Sequence, residues 1–129
     1  MKILILIGCL FFVACQSSPT EGSDKCYKVV DPIAFDEKMS STSDFILVDV
    51  RSAEEFNEGH IEGSLNWDVS NGDFEKKISE FDTSKQLYVY CRSGNRSTTA
   101  RNIAIESGFC DVVELGGGFV SWSKVHEAH

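Results

Sequence analysis

Two segments of the chain constrain its fold more than any others: Phe45-Ile46-Leu47-Val48 and Gln86-Leu87-Tyr88-Val89-Tyr90. Both are strand-length apolar runs without the polar alternation of a half-exposed strand. Runs of that kind belong to strands covered on both faces, which is the environment of a central strand in a parallel sheet. The segments around them supply the covering helices. Asp31 is placed to cap a helix that has Pro32 at its first position and Ile33, Phe35 and Met39 as its apolar residues. Ser52 and Glu55 have capping-box spacing and open a short helix through Phe56 that Gly59 ends. A helix is expected near Phe74 to Glu80, and another from Ser97 to Ser107 with Ala100, Ile103 and Ala104 on one face, stopped by Gly108. Tyr27–Val30, Ser64–Trp67 and Asp111–Leu115 read as three further strands, and Gly116-Gly117-Gly118 turns into a last short helix containing Trp122. Strands that alternate with helices define an α/β class: a three-layer α/β/α domain around a five-stranded, mainly parallel sheet.

The first residues stand apart from this pattern. Lys2 precedes an apolar run from Ile3 to Val13, too short to span a bilayer and of the length of a signal-peptide core. It ends in Phe12-Val13-Ala14-Cys15, after which the chain turns polar through Gln16-Ser17-Ser18-Pro19-Thr20-Glu21-Gly22-Ser23-Asp24. A small residue followed by Cys at the polarity switch resembles the lipobox of a bacterial lipoprotein, although Phe12 stands where Leu is usual. The expected organisation is a lipoprotein-type signal peptide over 1–14, a flexible tether over 15–25 with Cys15 lipidated, and one folded domain over 26–129. Localisation would be exported, on the periplasmic side of a bacterial membrane and held only by the lipid. Gln16 after the anchor matches an outer-membrane sorting preference. Cys26, Cys91 and Cys110 would then sit in an oxidising compartment, and an odd number leaves one thiol over.

A net charge of −8 argues against a nucleic-acid partner. An anionic substrate would need a local cationic pocket, and the chain has one candidate. Cys91 closes the second strong strand and heads Cys91-Arg92-Ser93-Gly94-Asn95-Arg96-Ser97, a strand-to-helix loop. Ligands of parallel α/β sheets bind beyond the carboxyl ends of the strands, where this loop falls. Backbone N–H groups converging in the loop, the helix N-terminus and the guanidinium groups of Arg92 and Arg96 all favour a thiolate at Cys91. Gly94 lets the loop turn tightly. A Cys at a strand end can equally be a small buried hydrophobe, but two arginines in the same turn favour a nucleophile.

The loop resembles the active-site loop of the rhodanese family, the thiosulfate sulfurtransferases. Leu47-Val48-Asp49-Val50-Arg51-Ser52 with Glu55, Phe56, Gly59, His60, Ile61, Gly63 and Ser64 is similar to the family's first signature. Gly108-Phe109 with Val112, Leu115, Gly117, Gly118, Phe119 and Trp122 is similar to its closing one. The three motifs occur in order over roughly residues 27–125. Glu62 stands where the family often has Pro, Ser64 where it often has Ala, and Trp67 follows Asn66. The resemblance implies a rhodanese-like fold and ping-pong transfer. The Cys91 thiolate takes the outer sulfur of a donor such as thiosulfate, releases sulfite, and passes the sulfur from a persulfide to cyanide or a thiol.

On this reading Cys91 is catalytic, and Arg92, Ser93, Gly94, Asn95, Arg96 and Ser97 bind the small anionic donor. Asp49 and Arg51 support the loop as an ion pair rather than reacting. His60 is expected to be structural, and Trp67 to pack in the core or rim. No cofactor is implied, His126 and His129 give no metal pattern, and the protein is expected to act as a monomer. The family's sheet sets its first and last strands side by side and parallel, which implies a Cys26–Cys110 disulfide and leaves Cys91 as the odd thiol. Two rivals remain. Cys-based phosphatases and arsenate reductases use Cys-x5-Arg, a longer loop than this one, in which Arg96 follows after four residues. The other is a non-catalytic or sulfur-relay binding module acting with a protein partner.

Overall fold

The computed structural model describes residues 26–127. The expected signal peptide, tether and lipidated Cys15 lie outside the described residues, as does His129. Five strands and five helices alternate: β1 (Tyr27–Val30), α1 (Pro32–Ser40), β2 (Phe45–Asp49), α2 (Ala53–Glu58), β3 (Leu65–Asn66), α3 (Asp73–Ile78), β4 (Gln86–Tyr90), α4 (Asn95–Glu106), β5 (Val112–Leu115) and α5 (Gly118–His126). The strands form one sheet in the order β1-β5-β4-β2-β3, and every neighbouring pair is parallel.

The two apolar runs behave as their composition requires. Consecutive side chains on a strand point to opposite faces, and both faces of β2 and β4 are covered. Ile46, Val48, Leu87 and Val89 face Phe74 and Ile78 of α3 and Ala100 and Ala104 of α4. Leu47, Tyr88 and Tyr90 face the other way, toward Phe35 of α1 and Phe119 and Trp122 of α5. The result is the expected three-layer α/β/α arrangement, with β4 and β2 at its centre.

Several details depart from the sequence expectations. Asp31 caps α1 through Ala34 N–H at 2.9 Å, but Ile33 is exposed while Phe35 is fully buried. Residues two apart do not share a helix face, and α1 presents only the stripe through Phe35 and Met39. The third strand shrinks to two residues paired with β2, and α3 spans Asp73–Ile78 rather than Phe74–Glu80. The helix expected from Ser97 begins at Asn95, because Gly94 reverses the chain in a single residue, with φ +119°. Asn95, Arg96 and Ser97 are therefore the first turn of α4 and not loop.

At the amino end of the sheet, Cys26 and Cys110 are joined in a disulfide, with Cα atoms 4.0 Å apart. The register explains why: Tyr27 lies opposite Val112, and Val112 N–H donates to the Cys26 carbonyl at 2.9 Å. Among the described residues Cys91 is the free cysteine. It lies at the other end of the sheet, following β4.

Candidate active site

Cys91 directly follows β4, at the start of the turn into α4. Its Sγ accepts a hydrogen bond from Gly94 N–H at 3.1 Å and lies 3.5 Å from Ser97 Oγ. The positive end of the 12-residue α4 begins directly beyond Gly94. The loop is held from outside by α5: Phe119 N–H donates to the Cys91 carbonyl at 2.8 Å and Val120 N–H to the Arg92 carbonyl at 3.1 Å. That approach requires Gly118, since a Cβ there would lie 2.4 Å from the Arg92 carbonyl carbon and oxygen.

The two arginines of the motif have different surroundings. Arg96 grips Glu55 of α2 through both guanidinium NH2 groups, at 2.7 and 2.9 Å. Those hydrogen bonds, more than any other influence, hold the Glu55 carboxyl down at about 2. Arg92 is exposed and makes no ion pair among the described residues. It lines a cleft of about 370 Å³ with Arg51, Glu55, Glu58, Gly59, Phe119 and Val120. Cys91 itself is only 1% exposed and is not part of that lining. Arg92, next in sequence, and Phe119, bonded to the Cys91 carbonyl, are part of it, so the cleft reaches the backbone of the loop and not the sulfur.

Asp49 and Arg51 lie on the opposite side of the sheet end from the Cys91 side chain. Arg51 Nη2 donates to Asp49 Oδ2 at 2.7 Å and to the Gly59 carbonyl at 2.7 Å, and the guanidinium lies 4.4 Å from the Phe119 ring centroid. Burial works against the Arg51 cation, but the hydrogen bonds and charge of Asp49 outweigh it and hold the guanidinium more firmly protonated. Asn66 of β3 ties the same corner by donating to the Asp49 and Arg51 carbonyls. Tyr90 hydroxyl accepts from Ile61 N–H at 3.0 Å, and burial pushes its phenol well up. These contacts tie β2, β3, the Gly59–Ile61 turn and Phe119 together at the carboxyl end of the sheet. His60 is exposed, bonded to the Phe56 carbonyl and stacked on the Phe56 ring. Trp67 is buried against Phe74 and Phe81. Neither approaches the thiol through any of these contacts.

Three residues escaped the sequence reading of the site. The sequence places Glu55 only in a capping box with Ser52, and its carboxylate does accept from Ser52 Oγ at 3.1 Å, but it also anchors Arg96. It marks Gly118 only as part of a turn. Glu114, in the middle of β5, is 2% exposed and accepts from Ser97, Thr98 and Arg101. An acid inside the apolar stretch Val112-Val113-Glu114-Leu115 is itself a signal, because buried carboxylates are rare unless partnered.

These features define a parallel α/β protein whose buried thiol sits at a helix N-terminus beyond the carboxyl end of a central strand. A family model described as a rhodanese-like domain matches residues 34–125, and the chain belongs to the rhodanese family. It is similar to thiosulfate sulfurtransferase GlpE of Shewanella oneidensis, with 36% identity over 92 residues that cover 71% of this chain and 86% of the relative. GlpE of Pseudomonas aeruginosa is 39% identical over 82 residues, 64% of this chain and 73% of its own. Among solved structures, a rhodanese-related protein from Thermoplasma volcanium superposes with TM-score 0.65 at 26% identity, covering 80% of this chain and 95% of that one. A rhodanese-like domain protein from Staphylococcus aureus, at 23% identity and TM-score 0.63 over 74% of this chain and 90% of its own, shares the fold.

Proposed function

We propose that this protein is a sulfurtransferase that moves a sulfane sulfur from thiosulfate, or a related anionic donor, to a thiol or cyanide acceptor through a persulfide on Cys91. The observation that carries this reading is the Cys91 sulfur receiving the Gly94 N–H at 3.1 Å beneath the start of α4. An N–H donor and a helix N-terminus stabilise the thiolate and the persulfide anion alike. The similarity to proteins named thiosulfate sulfurtransferase supplies the donor class. The thiolate attacks the outer sulfur of thiosulfate, a new S–S bond forms, and the donor's S–S bond breaks with its electron pair leaving on sulfite. The acceptor then attacks the terminal sulfur and returns Cys91 as thiolate. Arg92 is the cation available to the donor, since Arg96 is committed to Glu55. That commitment also counts against a phosphatase, whose arginine must close around a tetrahedral oxyanion.

Intact mass after incubation with thiosulfate tests the proposal. One added sulfur atom, removed by cyanide with formation of thiocyanate and absent in Cys91→Ser, is the expected result. No sulfur gain with several donors would favour a binding module instead. Export and lipid anchoring through Cys15 belong to the same reading, and a disulfide between Cys26 and Cys110 is consistent with an oxidising compartment. Cys15→Ser should release the protein from the membrane fraction.

A further inference from the structure

The sulfur-transfer reading leaves one buried acid unused. Glu114 is 2% exposed, and its two carboxylate oxygens have different partners. Oε2 accepts from Arg101 Nη1 at 2.6 Å. Oε1 accepts from Ser97 Oγ at 2.8 Å and from Thr98 Oγ1 at 3.0 Å. Ser97, fully buried in the first turn of α4, brings the same oxygen within 3.5 Å of Cys91 Sγ. A hydroxyl has a single proton to donate. Ser97 has two oxygen acceptors for it, the Gly94 carbonyl at 3.1 Å and Glu114 Oε1 at 2.8 Å. The charged acceptor is nearer and the stronger of the two. With its proton committed there, Ser97 turns a lone pair toward the sulfur, and the Cys91 thiol is the donor in that contact.

From this chain we infer that Glu114, acting through Ser97, receives the Cys91 thiol proton and stores it while the persulfide exists. The inference rests on Cys91 being the sulfur carrier. In the step, the Cys91 S–H bond breaks as a bond forms from that hydrogen to Ser97 Oγ. The original Ser97 O–H bond breaks as a bond forms to Glu114 Oε1. The S–H electron pair stays on sulfur, and nothing is oxidised or reduced. When the acceptor removes the outer sulfur, the proton returns by the same path. Arg101, which also lies over the Tyr27 ring at 3.8 Å, pairs with Glu114 from α4 at 2.6 Å and gives up part of that attraction when the proton arrives. The anion is received at the sulfur by the Gly94 N–H and the start of α4. The anion moves from Glu114 to sulfur, so the net charge of Cys91, Ser97, Glu114 and Arg101 does not change. A site in which Cys91 is 1% exposed then need not send a proton to solvent or gain a net charge on each turnover.

Infrared difference spectroscopy of the whole protein, before and after loading with thiosulfate, reads the stored proton directly. A carboxylic-acid carbonyl band should appear with the persulfide, vanish on adding cyanide, and be absent in Glu114→Gln. That variant keeps an acceptor oxygen for Ser97 and Thr98 but cannot hold the proton. Persulfide formation at neutral pH should slow by about a hundredfold in Glu114→Gln and in Ser97→Ala. Thermal melting of both variants checks that they are folded. Sulfur uptake by the wild type without the acid band, or uptake by folded Glu114→Gln at the wild-type rate, overturns the inference and leaves the sulfurtransferase reading standing. Absence of any sulfur uptake by the wild type is instead a failure of that reading. Alkylation of Cys91 by iodoacetamide then tests the relay by itself: slowing in both variants supports it, and an unchanged rate overturns it.

Discussion

The thiol loop depends on single residues that each leave little room for replacement. Gly118 sits at φ +63° with the Arg92 carbonyl where a Cβ would be. A methyl group there must push the loop away from α5 and break the hydrogen bonds that end on Cys91 and Arg92. Gly118→Ala should destabilise the protein by about 1–3 kcal/mol and, in the molecules that remain folded, suppress persulfide formation. Paired denaturation and intact-mass measurements check both effects. Arg92 is a different case, because its side chain is exposed and forms no ion pair among the described residues. Arg92→Ala should keep the melting temperature and raise the KM for thiosulfate by roughly tenfold, the scale of one charge-assisted contact. Equal KM values would mean that the donor is oriented elsewhere.

At the scale of elements, the Arg96–Glu55 pair fastens α2 to the first turn of α4 across 41 residues of sequence. The two helices otherwise have little in common, since α2 buries none of its residues. The pair is partly exposed, with 31% and 29% of the two side chains accessible, so solvent screens it and its worth to stability is modest. Its pH dependence has a definite sign. Glu55 lies at about 2 against an ordinary 4.5, chiefly because Arg96 hydrogen-bonds the ionised form. A depressed carboxyl stabilises the fold above its unfolded value and loses that contribution as pH falls through its folded value. The stability advantage of wild type over Glu55→Gln should therefore be complete above about 4.5 and disappear toward about 2. Thermal melts of the two proteins across that window measure it, and an advantage that persists at the acid end contradicts the assignment.

For the molecule as a whole, the sheet separates stability from chemistry. The disulfide closes a span of 84 residues at the amino ends of β1 and β5, and Cys91 lies beyond the carboxyl end of β4. A cross-link of that span removes loop entropy from the unfolded chain worth about 4.5 kcal/mol in the entropic account. Cys26→Ala/Cys110→Ala should accordingly lower the melting temperature while leaving the rate of sulfur uptake per folded molecule unchanged. A parallel loss of uptake would show that the two ends of the sheet are coupled.

Much of this arrangement follows from the chain alone. The unbroken apolar runs at 45–48 and 86–90 require cover on two sides, and that requirement makes a central parallel sheet. The position of Cys91 after such a strand, with Gly94 and two arginines following, identifies the thiol loop because its chemistry is local in sequence. Apart from Cys26–Cys110, which the family resemblance implies, pairings between distant segments are not legible in the same way. Nothing in Arg92-Ser93-Gly94-Asn95-Arg96 tells which arginine is bound, because the answer is Glu55 on another helix. The acid in Val112-Val113-Glu114-Leu115 could not be given its partners, because Ser97 and Arg101 meet it only when α4 packs on β5. Local pattern therefore determines the elements and the position of the buried thiol. The tertiary structure decides which charges near Cys91 are spent and which remain available, because burial and pairing depend on neighbours that only folding brings together.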